Sequence, residues 1–357
     1  MKKIILTGGG SAGHVTPNLA LAAELARRGY ELLYVGSHKG MEKEMAEKAG
    51  LRYAGVASGK LRRYLSPKNL TDPFRVIKGI GEARKLLKKE KPALIFAKGG
   101  FVSLPVVKAA RSLKIPVFLH ESDMTPGLAN KLCFSDAQRI FCNFPETLSY
   151  LPKGKSFVSG CPIRESLKAG SREKGLAFTG LSGEKPVLLI IGGSLGSAFL
   201  NDLVRECLPE LLPLYEIIHL CGKGHLAPEI NLSGYVQYEF LNEEMPDIFA
   251  ATDLALSRSG ANAICELLSL KKPALLVPLP LSASRGDQIL NAKSFVSQGF
   301  SHMAEQESLS RESLLSALKE LSRERDALIA AMEKSPFSNA VSFLCDQMDS
   351  FLEEADQ

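Results

Sequence analysis

The sequence predicts an α/β protein of two doubly wound parallel sheets, and three observations carry that prediction. Short runs apolar on both faces recur between helix-length segments, the pattern of parallel strands covered by helices on both sides. The strand, glycine-rich turn and helix of "IILTGGGSAGHVTPNLALAAELARRGY", residues 4–30, returns half a chain later at "VLLIIGGSLGS", residues 187–197. A length of 357 residues also exceeds what one hydrophobic core usually supports, so two compact domains are expected.

Taken in order, "KIILTG" is the first strand, Pro17 suits the opening turn of the next helix, Leu21 and Leu25 form its buried stripe, and Gly29 stops it. Strand-like runs follow at "ELLYVG", "ALIFAKGG", "PVFLHE", "RIFCN" and "SFVSG". The pattern breaks at "SGCPIRESL", where Gly160 and Pro162 interrupt it and set a boundary between residues 1–161 and 162–339. The plan then restarts at "PVLLIIGG" and continues through "YEIIHLCG", "VQYEFL", "DLALSRSG" and "PALLVPLP". Its repetition implies two similar domains meeting at a cleft. The acidic, amphipathic tail "FSNAVSFLCDQMDSFLEEAD" reads as a final helix, within residues 340–357, that returns to the first domain.

Composition is that of an ordinary globular chain, with 45% hydrophobic and 23% charged residues, which sets aside the disordered and fibrous classes. The seven cysteines are scattered and form no C-x-x-C pair, which argues against a disulfide framework or a zinc site and fits a reducing cytosol. The opening "MKKIILTGGG" has too few apolar residues for a signal-peptide core, and no later run reaches the roughly 18 residues of a membrane-spanning helix. The expectation is a protein neither exported nor integral to a membrane. The net charge of +5 hides an asymmetry, with +15 in residues 1–160 and −10 in residues 161–357. That split implies that one half faces an anionic partner, nucleic acid or an acidic membrane surface.

A glycine turn that opens a helix aims backbone N–H groups and the positive end of the helix dipole at one spot, where a phosphate is the usual occupant. The plain alternative is that the glycines only permit a tight strand-to-helix crossing. A dinucleotide-binding domain would need an acidic residue near the end of the second strand, and there Gly36 and Ser37 stand instead. The pattern G-x-x-x-x-G-K-[ST] is missing, which disfavours ATP or GTP hydrolysis. Polar residues gather where open sheets bind ligands: His14 after the first turn, "HESD" from His120 to Asp123, Arg164 at the boundary, Ser194 in the second turn, Arg258 and Glu266 in "RSGANAICE", and Asp287 and Gln288 in "RGDQ". Singly, each has an ordinary reading: Ser194 and Ser259 as helix caps, Glu266 paired with a cation, His120 satisfied beside the core.

Seven stretches, "TGGGSAGHVTP", "KGGFVSLP", "HESDMTPGLANK", "GCPIRE", "IIGGSLGS", "SRSGANAICE" and "RGDQILNA", resemble the motifs of the MurG family in order and spacing, from about residue 4 to residue 300. These are GT-B glycosyltransferases that move N-acetylglucosamine from UDP-GlcNAc to lipid I, the undecaprenyl-diphosphate-linked muramyl-pentapeptide, making lipid II of peptidoglycan. The resemblance implies two Rossmann-like domains facing across a cleft, the second holding the donor. It places Ser194 and the adjoining amides at the diphosphate, Arg164 near the nucleotide, Leu241 and Met245 at the uracil, Ala261, Asn262 and Glu266 towards the ribose, and Gln288 at the sugar hydroxyls. Thr7, Gly8, Gly9, Gly10 and Asp123 would reach the donor from the first domain, and Gly13, His14, Gly99, Gly100 and His120 would line the acceptor side. Inversion by single displacement is implied, with His14 the first choice of general base and Glu121 the reserve. No metal or other cofactor is implied, and UDP-GlcNAc is a substrate. The chain departs from the family at Cys161 and Asp123, where asparagine is frequent, and at Phe101, where tyrosine is common.

The stretch "GKLRRYLSPKNLTDPFRVIKGIGEARKLLKKEKP", residues 59–92, sets cations beside apolar residues. Leu61, Arg62, Arg63, Tyr64, Leu65, Lys68 and Phe74 form a candidate patch for the anionic inner leaflet, while Ile77, Ile80, Leu86 and Leu87 suit an ordinary core. Nucleic acid is disfavoured, since no stacking platform of interleaved aromatics is present. The implied place of work is the cytoplasmic face of the cell membrane, peripherally held, with cell-wall synthesis proteins as further partners. Other GT-B reactions on UDP-GlcNAc, with a soluble acceptor or as 2-epimerisation, and a non-catalytic sugar-nucleotide scaffold are the competing functions.

Overall fold

The computed structural model describes residues 1–59, 72–193, 196–284 and 286–355. The chain divides into two compact units, Met1–Arg164 with Asn339–Gln357, and Glu165–Ser338.

The first unit holds a seven-stranded parallel sheet of β1 (Lys3–Thr7), β2 (Glu31–Ser37), β3 (Arg52–Val56), β4 (Leu94–Ala97), β5 (Val117–Glu121), β6 (Arg139–Cys142) and β7 (Ser156–Val158), in the order β3-β2-β1-β4-β5-β6-β7. Its connecting helices are α1 (Thr16–Arg27), α2 (Met41–Lys48), α3 (Asp72–Glu90), α4 (Ser103–Ser112) and α5 (Leu128–Lys131). The second unit holds a six-stranded parallel sheet of β8 (Val187–Ile191), β9 (Glu216–Leu220), β10 (Tyr235–Tyr238), β11 (Leu254–Ser257), β12 (Ala274–Leu276) and β13 (Ser301–Met303), in the order β10-β9-β8-β11-β12-β13. Its helices are α6 (Arg172–Thr179), α7 (Ala198–Glu206), α8 (Leu208–Leu211), α9 (Met245–Ala251), α10 (Ala261–Ser269), α11 (Asp287–Ser297) and α12 (Arg311–Glu333). In both sheets the order reverses beside the first strand, between β1 and β4 and between β8 and β11, where open sheets part their helices and leave room for a ligand.

Alternation along the strands sorts the first core into two layers. Ile4, Leu6, Tyr34, Phe96, Phe118 and Phe141 lie on one face with Leu21 and Leu25 of α1, while Ile5, Leu33, Val35 and Ile95 lie on the other with Val106 and Val107 of α4. Val341, Leu344, Cys345, Met348 and Leu352 of the closing helix α13 (Ala340–Glu354) complete the first layer. Polar contacts fix its register: Arg28 meets Asp346 at 2.7 Å and Asp349 at 2.6 Å, Tyr30 donates to Asp349 at 2.5 Å, and Arg139 donates to Gln347 at 2.7 Å. All seven cysteines are buried free thiols.

On α3, Ile80 and Leu86 pack against the core and Leu87 is buried. Ile77 is a correction to the core expectation: it is 66% exposed, and one helical turn from it Phe74 is 73% exposed. Leu61, Arg62, Arg63, Tyr64, Leu65 and Lys68 lie outside the described residues. Among the described residues no helix is long and apolar enough to cross a membrane.

Candidate functional site

In the first unit, candidate residues meet where the carboxyl ends of β1 and β4 lie side by side. Thr7 pairs with Ala97, and its carbonyl accepts from Lys98 N at 2.8 Å and from Asn18 Nδ2 at 3.1 Å. These bonds bring Gly8, Gly9 and Gly10 against Gly99 and Gly100. Gly100 has φ +79°, and a Cβ there would lie 2.3 Å from the Gly9 carbonyl oxygen and 3.3 Å from His14 Nδ1, so only glycine lets the two loops touch. His14 follows Gly13 in a 3-10 turn, Ala12–His14, and its Nδ1 is 3.0 Å from Ser11 Oγ. Burial, and then the Lys98 charge, push the His14 imidazole down to about 4, so it is neutral at cellular pH and has a lone pair to take a proton.

Two residues assigned from the sequence are buried and held by the protein's own groups. His120, placed on the acceptor side, is fully buried in β5, with Nδ1 2.6 Å from Lys98 Nζ and Nε2 3.0 Å from the Gly160 carbonyl and 3.1 Å from Ser159 Oγ. A lysine ammonium only donates, so Nδ1 accepts and the ring proton sits on Nε2, pointed at Gly160. Burial and the Lys98 charge hold this imidazole well below its usual range. Glu121, the reserve base, is also buried: Oε1 accepts from Asp123 N at 3.0 Å, and Oε2 from Gly127 N at 3.0 Å and Asn130 Nδ2 at 2.9 Å. Both oxygens thus tie down the loop that carries Asp123.

Lys98 and Glu42 are the residues that sequence reasoning missed. Lys98 is fully buried and links the ends of β4 and β5. Glu42, in the first turn of α2, is fully buried and reaches back to the end of β2, accepting from Ser37 N at 2.9 Å and Ser37 Oγ at 2.5 Å, with Gly10 N at 3.4 Å. The available signal was an acidic residue five positions beyond the strand end, in a helix's first turn.

In the second unit β8 runs into Gly192 and Gly193, and Ser197 caps α7 by accepting from Leu200 N at 3.3 Å. Ser194 lies outside the described residues. Arg258, just past β11, is buried beneath this turn: Nη2 donates to Ser197 Oγ and to Gln306 Oε1, both at 2.7 Å, and Nη1 to the carbonyls of Val277 at 3.1 Å and Pro278 at 3.2 Å. None of those partners is a carboxylate, so the positive charge stays uncompensated by these contacts.

The next loop leads into α10, where Ala261 is buried and Asn262 and Glu266, four residues apart, share a half-buried face. Ser259 Oγ donates to the Gln288 carbonyl at 2.8 Å, which draws the starts of α10 and α11 together. Gln288 Oε1 accepts from Leu279 N at 3.1 Å, which fixes the orientation of the amide and leaves its two N–H donors and one oxygen lone pair to offer a sugar hydroxyl. Met245 is buried at the start of α9, and Leu241 is half-buried four residues before it. Arg164 is exposed and is the last residue of the first unit before the chain passes to the second. Among the described residues no group of three or more His, Cys, Asp or Glu side chains is placed to hold a metal ion.

Known proteins resemble this chain in sequence and fold. Residues 4–142 match the glycosyltransferase family 28 N-terminal domain and residues 187–348 its C-terminal domain. The chain is 55% identical over 342 residues, 96% of each chain, to a protein of Lachnoclostridium phytofermentans named "UDP-N-acetylglucosamine--N-acetylmuramyl-(pentapeptide) pyrophosphoryl-undecaprenol N-acetylglucosamine transferase". It is 51% identical over 98% of both chains to a protein of the same name from Clostridium tetani. Among solved structures, Acinetobacter baumannii MurG superposes with a TM-score of 0.77 at 24% identity, covering 98% of this chain and all of that one. A UDP-GlcNAc 2-epimerase from Neisseria meningitidis superposes at 0.69 with 15% identity, covering 98% of this chain and 100% of that one, which is a likeness of fold alone. The two parallel-sheet units are those of a GT-B glycosyltransferase, and the chain belongs to the MurG family.

Proposed function

We infer that this chain transfers N-acetylglucosamine from UDP-GlcNAc to the muramyl sugar of lipid I, giving lipid II. The observation that carries the reading is identity of 51–55% across at least 96% of the chain with transferases named for that reaction. The second unit supports the donor half: backbone amides of a glycine turn, a capping serine and an uncompensated buried guanidinium suit the diphosphate of a sugar nucleotide.

In the proposed step the muramyl 4-hydroxyl oxygen forms a bond to the anomeric carbon while the bond from that carbon to the UDP oxygen breaks on the opposite face. His14 takes the hydroxyl proton, and the electron pair leaves on the diphosphate. Charge growing there meets the turn amides, Ser194, the exposed Arg164 and the potential of Arg258. Glu266 accepts from the ribose hydroxyls, Gln288 donates to the sugar through its N–H groups, and Leu241 and Met245 flank the base. No metal is required by this scheme.

Attachment to the membrane is proposed on α3, where exposed Phe74 and Ile77 stand among the exposed cations Arg75 and Lys78. That combination suits the anionic inner leaflet, in whose plane the acceptor's lipid lies. Double reversal of Arg75 and Lys78 to glutamate should weaken co-sedimentation with anionic vesicles, and unchanged binding would remove this docking face.

The test of the reaction is UDP release from UDP-GlcNAc with a short-chain lipid I analogue, with and without chelator. Release that depends on the analogue and survives the chelator is expected. Turnover of UDP-GlcNAc without acceptor would point to epimerisation instead, and wild-type turnover in Glu266→Ala would contradict the donor assignment.

A further inference from the structure

A cleft of about 340 Å³ opens in the second unit at the amino ends of β8 and β11, the far end of these strands from the glycine turn and Arg258. That volume lies in the range of small-molecule sites. Its walls are the loop of residues 183–186 that enters β8, Arg172 in the first turn of α6, and Ser322 and Arg325, neighbours on one face of α12. The protein holds the loop itself: the buried Glu216 carboxylate accepts from Ser182 N and Ser182 Oγ, both at 2.8 Å, and from Gly183 N at 2.6 Å.

Asp253, the residue before β11, ties these walls together. Its Oδ2 accepts from Val187 N at 2.9 Å and from Arg172 Nη2 at 3.1 Å, and its Oδ1 lies 3.6 Å from Arg325 Nη2. One carboxylate thus faces two guanidinium groups, and a positive charge is left over. Arg172 also donates to the Ala251 carbonyl at 2.7 Å, so two of its five N–H groups are used and three remain. Arg325 reaches Asp253 only beyond hydrogen-bond length, and it bonds Asp326 Oδ1 at 3.2 Å, on a side chain 92% exposed whose charge solvent screens. The two arginine side chains are 42% and 41% exposed, which leaves guanidinium edges within reach of a solute. Lys185 also lines the cleft, opposite in charge to the exposed Glu184. Beside it Lys272 donates to the Thr252 carbonyl at 2.7 Å; burial, and the charges of Arg172 and Arg325 against the pull of Asp253, hold its ammonium below the usual lysine range.

We propose that this cleft is a binding site for a small phosphate-bearing solute, whose oxygens take the unspent N–H groups of Arg172 and Arg325. The planar fork of a guanidinium matches two phosphate oxygens at once, and a pair of forks sharing one carboxylate lacks the anion that would complete it. Asp253 fixes the clamp and also repels its occupant, so the site discriminates by donor geometry more than by field. It is separate from the glycine turn, and its occupant does not compete with UDP.

The probe is inorganic phosphate, titrated into the full chain at constant ionic strength with UDP present, and followed by the arginine Cζ NMR signals. The signals of Arg172 and Arg325 should shift saturably, with a Kd of about 1 mM or tighter, while that of Arg139 in the first unit stays still. Arg325→Gln and Arg172→Gln should each weaken binding at least about tenfold. Acetate should bind at least about tenfold more weakly than phosphate, and equal binding would overturn the phosphate assignment. Shifts that never saturate, or that chloride reproduces, would overturn the site, as would an Arg325→Gln chain that binds phosphate like the wild type. Arg172→Gln gives up its bonds to Ala251 and Asp253; should it fail to fold, Arg325→Gln decides alone. A chain that binds no UDP would refute the functional reading instead, and the two arginine signals would judge the cleft as before.

Discussion

The state of His14 can be tested by pH. An ordinary imidazole titrates near 6.5, so at pH 6 only about a quarter of it would be neutral. With the value pushed to about 4, about 99% is neutral at the same pH. If His14 takes the acceptor proton, kcat/KM at pH 6 should stay within about 10% of its value at pH 8, where an unshifted base would give a fall to about a quarter. Burial is the larger cause of the shift and the Lys98 charge the second, so Lys98→Met should move the acid limb upward while leaving it below 6.5. The assay is UDP release against pH at fixed ionic strength, with the His14 ring titrated in parallel by NMR, a readout independent of turnover. His14→Gln should lower kcat by about a hundredfold or more. An acid limb near 6.5 in the wild type, or a His14→Gln enzyme within threefold of it, would refute the reasoning.

Three further outcomes follow from particular contacts. Arg258→Met withdraws hydrogen bonds from the Val277 and Pro278 carbonyls and from Ser197 Oγ; at about 1–3 kcal/mol per buried group left unsatisfied, it should cost roughly 3 kcal/mol or more in stability, with UDP affinity at least about tenfold weaker. A folded variant with unchanged UDP affinity would remove Arg258 from the turn's support. His219 is buried between Tyr235 OH at 2.9 Å and Asn201 Oδ1 at 3.0 Å, and burial pushes it down to about 3. Its folded pKa lies below its unfolded one, so the stability it contributes is complete above about pH 6.5 and is lost as pH falls towards 3, at up to about 1.4 kcal/mol per pH unit. Urea midpoints of the wild type and His219→Gln, at pH 7, 6 and 5, should show a shallower acid slope in the variant. Lys114, at φ +57° after α4, sits in the left-handed region, so Lys114→Gly should raise stability by about 0.5–1 kcal/mol; a lower Tm would contradict it.

The strands that the sequence displays are mostly those buried on both faces, and the two it hides are edges. β3 reads Arg52-Tyr53-Ala54-Gly55-Val56, with only its last residue buried, and β13 is three residues, Ser301-His302-Met303, of which two are half-buried. An edge strand has one covered side and carries no continuous apolar run. The glycine turns and the polar residues at strand ends are local in sequence and therefore legible. What joins them is not. The sequence shows His120 and Glu121 at a strand end, but not that the order β4-β5 brings Lys98 to His120 Nδ1, nor that the loop to Asn130 folds over Glu121. Polar side chains at strand ends are ambiguous between reaching a ligand and holding the loops that reach it, and only the partners decide.

The same ambiguity explains how one local plan serves two purposes. Each turn offers amides and about half a positive charge from the following helix, worth at most about 2 kcal/mol to an anion in a favourable site. A full charge about 4 Å away at the effective dielectric of a protein surface is worth about 4 kcal/mol, so whichever side chain lies behind the turn outweighs the dipole. The Arg258 guanidinium, bonded to Ser197 Oγ at 2.7 Å, lies behind the second turn, and the Glu42 carboxyl group, with Gly10 N at 3.4 Å, lies behind the first. The glycine pattern therefore specifies the tight crossing, and the side chain brought in behind it from another element sets how strongly each turn attracts an anion.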